Sequence, residues 1–219
     1  MNPKLLQLVS PALPVGAYSY SQGLEAAIAA GTVRDAASAR CWIGDVAELS
    51  VAGLEAPVLL RLMRAWKAED EAAVARWNDE SVASREGAEL RAETLQMGYS
   101  LRRLLRELEV AGAAALDAFE ELSYPAAFAF AATAWRIEER EALGAYLFAW
   151  IENQVLAAVK TVPLGQTDGQ RILAALGERI PRLVEHAAAL PDADLCSFAP
   201  GYAIACARHE TQYSRLYRS

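Results

Sequence analysis

Several groups of side chains in this chain are of types that do chemistry. Cys206 and His209 stand three apart, a spacing that on a helix puts a thiol and an imidazole on one face, and both suit a borderline metal such as nickel or zinc. Two ligands make an incomplete site, and a packed cysteine beside a hydrogen-bonded histidine would show the same spacing. Asn153 and Lys160 are seven apart, on one helix face and about 10 Å from each other. There Lys160 either complements the helix dipole, worth about 0.3–1 kcal/mol, or offers a cation to a partner's phosphate or carboxylate. The opening stretch PALPVGAYSYSQGLE, Pro11 to Glu25, gathers the hydroxyls of Tyr18, Ser19, Tyr20 and Ser21, as a small enzyme's reactive loop would, but no histidine lies close by to act as base. Finally HETQYSRLYRS carries Tyr213 and Tyr217 at i,i+4 and Arg215 and Arg218 at i,i+3. Tyrosine and arginine are enriched at interface hot spots, and a terminal segment so composed is expected to dock on something, its arginines donating to carboxylates.

Other chemistry is poorly supported. The sequence has no GxxxxGK[ST], HExxH or GxSxG, and of its two histidines, His186 and His209, neither adjoins a nucleophile elbow. A net charge of -7 argues against nucleic acid as a partner, since neutralising phosphates needs a basic face. That charge is uneven: residues 207–219 carry +2, which leaves -9 on the rest. Three cysteines without CxxC spacing suggest neither a disulfide framework nor a zinc site, so a reducing cytoplasm is expected. The start of the chain is a poor signal-peptide core, and runs such as ALGAYLFAWI are about half the ~20 residues that span a bilayer, so no membrane segment is expected.

The elements that must position these groups read as helices. Ala- and Leu-rich periodic segments with 54% apolar residues imply an all-α fold, a single-domain bundle of roughly eight to ten helices over residues 1–219, with 207–219 as a partner-binding tail. Gly31 should stop a first helix, and Asp35 or Ser38 should cap the next. Residues from about Asp35 to Lys67 read as two helices broken near Gly53, and Asp70 to Arg85 as another with Trp77 turned inward. From Gly87 to Val110, Leu90, Met97 and Leu104 recur at seven, as do Thr94, Leu101 and Leu108, which makes a narrow seam on a helix whose other faces, Glu93 included, are wetted. Pro125 should open a helix apolar nearly all round, followed by a second from the Glu139 region to Val162, where Pro163 ends it. Helices apolar on every side need partners on every side, which implies contact with another subunit. In VPLGQTDGQ, Thr167 or Asp168 should cap a helix beginning near Gly169.

Together these stretches resemble the UreF family of urease accessory proteins. The matching residues are Leu5 to Ile28, ASRE at Ala83 to Glu86, QMG at Gln96 to Gly98, the block AYLFAWIENQVLAAVKTVPLGQTDGQ from Ala145 to Gln170, and Ala207 to Ser219. The resemblance implies an all-helical dimer that is not an enzyme and binds no cofactor directly. It would bind a second accessory protein, UreD (also called UreH), recruit the GTPase UreG, and dock on apo-urease, with nickel and GTP handled by the partners. It also implies that Lys160 takes part in control of the GTPase, that Arg215 serves recruitment, and that the tail with Tyr213, Tyr217 and Arg218 orders on binding UreD. Tyr18 and Phe148 would lie at subunit contacts, Tyr20 would fill or edge an interface, and Gln22 and Glu25 would be structural.

Overall fold

The structure, a computed structural model, describes residues 2–219. Among the described residues there are eleven α-helices and no strand. Helix α1 (Pro3–Leu8) precedes the opening loop, and α2 (Leu24–Ala29) ends before Gly31, whose φ of +75° stops it as expected. Helix α3 (Ala36–Val46) starts in a capping box in which Asp35 accepts from the Ser38 amide and Ser38 answers. Both candidate caps are therefore used.

No break follows at Gly53. The chain passes from α3 through π-helical turns over Ala47–Glu55 directly into α4 (Ala56–Lys67). Gly53 is needed for a different reason: a Cβ there would stand 2.6 Å from the Cys196 carbonyl oxygen, and the Cys196 amide donates to the Gly53 carbonyl at 3.2 Å. Helix α5 (Glu71–Ala83) turns Trp77 inward, as its periodicity predicts.

Helix α6 (Ala88–Glu107) buries Leu90, Thr94, Met97 and Leu101, but in its last turns Leu105 takes the buried place and Leu108 is exposed. A heptad seam on a straight helix drifts by about 20° per repeat, about 40° after two, which turns Leu104 off the centre of the inner face and brings Leu105 toward it. Helix α7 (Tyr124–Ala134), with Pro125 in its first turn, is buried on every side between α4 and α6. Trp66 of α4 donates to the Ala126 carbonyl at 3.1 Å and meets Phe130 edge-on, 5.2 Å between ring centroids.

Gly98 marks the closest approach of α6 to the segment leading into α7. A methyl there would overlap the Leu122 carbonyl oxygen, which is backbone held by Asn78: Asn78 donates to Glu121 and accepts from the Ser123 amide. Gly98→Ala should cost about 1–3 kcal/mol or more by overpacking, read as a lower thermal midpoint in circular dichroism. An unchanged midpoint would show that the segment yields freely.

Helix α8 (Glu139–Thr161) is the longest, ends before Val162 as Pro163 requires, and packs against α2, α3, α4, α9 (Gln166–Gly177) and α10 (Ile180–Ala189). By length and composition it could cross a membrane, a correction to the short apolar run read from sequence, yet 56% of its apolar window is buried in this chain's own core. Helix α9 starts at Gln166 with Gly165 as its cap residue, so Thr167 and Asp168 fall inside the first turn, where Asp168 pairs with Arg171. Helix α11 (Pro200–His209) rests on α2 and leads into a non-helical tail.

Candidate functional site

The opening loop and the tail form one structure. Within the loop, residues 17–19 make a single tight turn and Tyr20 drops into the core, its carbonyl receiving the Asn153 side-chain amide at 3.1 Å. Ser21 and Gln22 then present three donors to a single acceptor: their two backbone amides (2.7 and 2.9 Å) and the Ser21 hydroxyl (2.6 Å) all reach the Ser219 carbonyl oxygen. Arg218 donates its amide to the Ser19 carbonyl at 2.9 Å, so the last residues run alongside the loop.

Three glutamates hold the rest of the tail. The Glu25 carboxylate on α2 accepts the amides of Leu216 (2.6 Å) and Tyr217 (2.9 Å), which have no carbonyl partner because the tail is not a helix. Glu89 on α6 contacts the Arg215 guanidinium and lies 2.6 Å from His209 Nδ1, while His209 Nε2 is 3.4 Å from Glu25. Glu93, one turn further along α6, accepts from the Ser219 hydroxyl at 2.7 Å. The tail returns one contact: Glu210 accepts the Ala88 amide at 2.7 Å and caps α6, where Gly87 offers no side chain.

Next to the tail lies a cavity of about 70 Å³, whose lining includes Gln22, Glu55, Arg85, Glu93, Tyr146 and Trp150. Gln22 ties it together, donating to Glu93 at 2.6 Å and accepting from the Trp150 indole at 2.6 Å. Arg85, from the ASRE stretch, pairs with Glu55 at 2.7 Å, both side chains about nine-tenths buried, and Tyr146 donates to the other Glu55 oxygen at 2.8 Å. Burial pushes the Glu55 carboxyl up, but Arg85 and the hydrogen bonds outweigh it and hold the group below its ordinary value. Glu93 has no such ion pair. Burial pushes it up to about 7 despite its two neutral donors and the more distant attraction of Arg85, which outweighs the repulsion from Glu55.

Of the residues singled out in the sequence, the structure brings Tyr20, Gln22, Glu25, His209, Arg215 and Tyr217 into this cluster. The tail is ordered against its own chain, whereas the resemblance implied ordering on a partner. Nor does its i,i+4 spacing pair the tyrosines on one face: Tyr217 is buried and Tyr213 wholly exposed, with Leu216 and Arg218 also facing outward. Tyr20, placed at an interface by the sequence reading, instead fills its own core. Cys206 packs against Gly23, and burial pushes its thiol up to about 12, away from the thiolate a metal would need. Both His209 nitrogens are engaged by carboxylates, and no cluster of three or more potential metal ligands occurs among the described residues.

A second set lies apart, on the outer side of α8. Phe148 and Leu156 are partly exposed there, Lys160 stands in solvent in the last turn, and Tyr18 of the opening loop is exposed beside a shallow groove that Glu152, Asn153 and Leu156 line with Tyr18. Sequence reasoning missed Glu89 and Glu93 as parts of the tail cradle, and Trp150 as the donor that holds Gln22.

Comparison with known proteins gives a consistent result. The sequence profile of the UreF family matches residues 33–177. The chain is 60% identical to a protein named urease accessory protein UreF from Azoarcus sp. (strain BH72), over 99% of this chain and 94% of that one. It is 53% identical to the protein of the same name from Dechloromonas aromatica (strain RCB), over 99% of this chain and 96% of that one. With the one from Methylobacillus flagellatus it shares 52% identity, again over 99% and 96%. These relatives are named accessory proteins, not enzymes.

Proposed function

Because the chain belongs to the UreF family, a family of urease accessory proteins, we propose that it is a nonenzymatic adaptor of urease maturation in the cytoplasm. In this reading it works as a homodimer, binds UreD (UreH), and with it recruits the GTPase UreG to apo-urease. Nickel and GTP are handled by those partners, and this chain binds no cofactor directly. Lys160 takes part in control of the GTPase step.

The observation that carries the reading is the docked tail itself. The Leu216 and Tyr217 amides, the Arg215 guanidinium and the Ser219 hydroxyl are spent on Glu25, Glu89 and Glu93, the Ser219 carbonyl on the loop, and Tyr213, Leu216 and Arg218 are among the side chains left exposed. A rigid patch of tyrosine, leucine and arginine binds at a low entropic cost, because its ordering has already been met inside the monomer. The alternative of a small enzyme using the Tyr18/Ser19 loop is disfavoured by the same geometry: the Ser21 hydroxyl is buried and donates to a carbonyl, and His209 sits on α11 between two glutamates, away from Tyr18. A generic dimeric scaffold differs only in its partners.

Deleting the tail would strip Glu25, Glu89 and Glu93 of their partners, so a test must leave the inner contacts intact. The variant Tyr213→Ala/Leu216→Ala changes only outward side chains. Tagged wild-type chain should capture UreD and UreG from a lysate containing the urease accessory proteins. The double variant should lose at least about tenfold of that capture, the scale of one hot spot of about 2 kcal/mol or slightly less, with an unchanged circular dichroism spectrum. Undiminished capture would remove the tail from the partner interface, and no capture by wild type would remove the adaptor reading.

A further inference from the structure

The adaptor reading leaves one buried ring, that of His209, without a role. The imidazole is wholly covered where α11 ends. Its Nδ1 lies 2.6 Å from Glu89 Oε2 on α6, and its Nε2 lies 3.4 Å from Glu25 Oε2 on α2. A neutral imidazole carries a proton on one nitrogen only, so it would turn the lone pair of the other on a carboxylate oxygen. Neither tautomer avoids this. With the proton on Nδ1 a lone pair meets Glu25, and with the proton on Nε2 a lone pair meets Glu89 at a distance that only a hydrogen bond accounts for. Nor does either glutamate supply the missing proton, because in its other contacts each is an acceptor: Glu25 takes the Leu216 and Tyr217 amides, and Glu89 takes the Arg215 guanidinium.

The charge balance agrees. Glu25 and Glu89 against Arg215 leave one negative charge, which a doubly protonated ring cancels, as burial of charge requires. The other charged groups nearby are spent or turned outward: Glu93 takes Gln22 and Ser219, Glu210 caps α6 through the Ala88 amide, and Arg208 and Glu86 are exposed. We propose that His209 carries a proton on both nitrogens while the tail is docked, clips α2 to α6 as a cation, and so makes the docking of residues 210–219 take up a proton. The two carboxylates that hold the ring also hold the tail, so the clip and the docking are one structure. When the ring loses a proton, the looser contact, that to Glu25, gives first. Glu25 then turns from Nε2 and takes away the acceptor of the Leu216 and Tyr217 amides, while Glu89 keeps Nδ1 and Arg215. Docking therefore strengthens as pH falls and weakens as pH rises, the sign of any equilibrium whose docked side holds the extra proton.

Nitrogen NMR of the full chain labelled at histidine reads the protonation directly, with the exposed His186 as internal reference. At pH 6 both His209 nitrogens should resonate as protonated nitrogens, and a neutral ring there would overturn the proposal without any variant. Amide exchange then tests the coupling. It is measured in Glu93→Gln, where the Ser219 latch does not titrate. Protection of the Leu216 and Tyr217 amides, corrected for the intrinsic exchange rate, should fall at least tenfold from pH 6 to pH 9. Adding His209→Gln, which can neither gain nor lose a proton, should remove that dependence. No fall in the first protein, or an undiminished fall in the second, would show that the docking of the tail does not depend on a proton at His209.

Discussion

Replacing Arg85 by methionine should destabilise the fold by about 3–5 kcal/mol, the scale seen when one partner of a buried ion pair is removed. Arg85 and Glu55 are each about nine-tenths buried and 2.7 Å apart, and without the guanidinium the Glu55 carboxylate would keep only the Tyr146 hydroxyl. For a chain of this length that loss corresponds to a thermal midpoint lower by roughly 10 °C. Two controls give the prediction its content. Glu55→Gln/Arg85→Met should recover much of the loss, because no orphan charge remains. The single variant should also suffer less at pH 5 than at pH 8, since an unpaired buried carboxylate escapes its penalty by taking up a proton. A single variant that melts like wild type at both pH values would mean that water already reaches the pair. The Arg85 Nε atom, buried without a partner, makes that outcome worth measuring.

The helices themselves were legible because their signals are local. Pro125 and Pro163, the Asp35 cap and the apolar α7 and α8 act within one or two turns, and each is where its residues place it. Gly53 was misread for the opposite reason. A glycine costs a helix interior about 1 kcal/mol relative to alanine, which argues for a break, but the contact that selects it comes from Cys196, far away in the chain. The same holds for Gly98, whose neighbour is the Leu122 carbonyl.

The tail shows the limit more sharply. Spacings of three and four have meaning on a helix, and α11 ends at His209: the amides of Glu210, Thr211 and Gln212 close a last turn on nearby carbonyls, and beyond it Glu25 takes those of Leu216 and Tyr217. Nothing within ten residues of the tail announces that glutamate. One part of the cradle was nevertheless readable. Glu93 falls three after Leu90 and four before Met97, on the seam that the periodicity marks as buried, and a carboxylate on a buried seam calls for a partner. Arg91 and other charges on the neighbouring faces mask it, because they make the whole stretch look wetted.

That carboxylate carries the second prediction, a stability that falls as pH rises. Glu93 is raised from its ordinary 4.5 to about 7 by burial, against the opposing pull of its two hydrogen bonds and of Arg85, with Glu55 a smaller repulsion. A group whose pKa is higher in the folded chain contributes stability that is complete below the unfolded value and is lost as pH climbs through the folded one. Between pH 4.5 and pH 8 its share is about 3 kcal/mol, from roughly 2.5 units at 1.36 kcal/mol each. Glu55 and Asp35, both lowered, act the other way and lose stability in acid, so the total curve hides the effect. Comparing wild type with Glu93→Gln isolates it. The amide can still accept from Gln22 and donate to the Ser219 hydroxyl, and it never ionises beside Glu55, Tyr124 and Tyr146 in the cavity wall. In urea unfolding the two proteins should be nearly equal near pH 5, and the variant should be the more stable at pH 8 by up to about 3 kcal/mol. Amide exchange in residues 216–219 should slow in the variant at pH 8 as well, because Ser219 is latched to this side chain. Parallel stability curves from pH 5 to 8 would show that Glu93 is hydrated or paired, and that the tail is held by Glu25 and Glu89 alone.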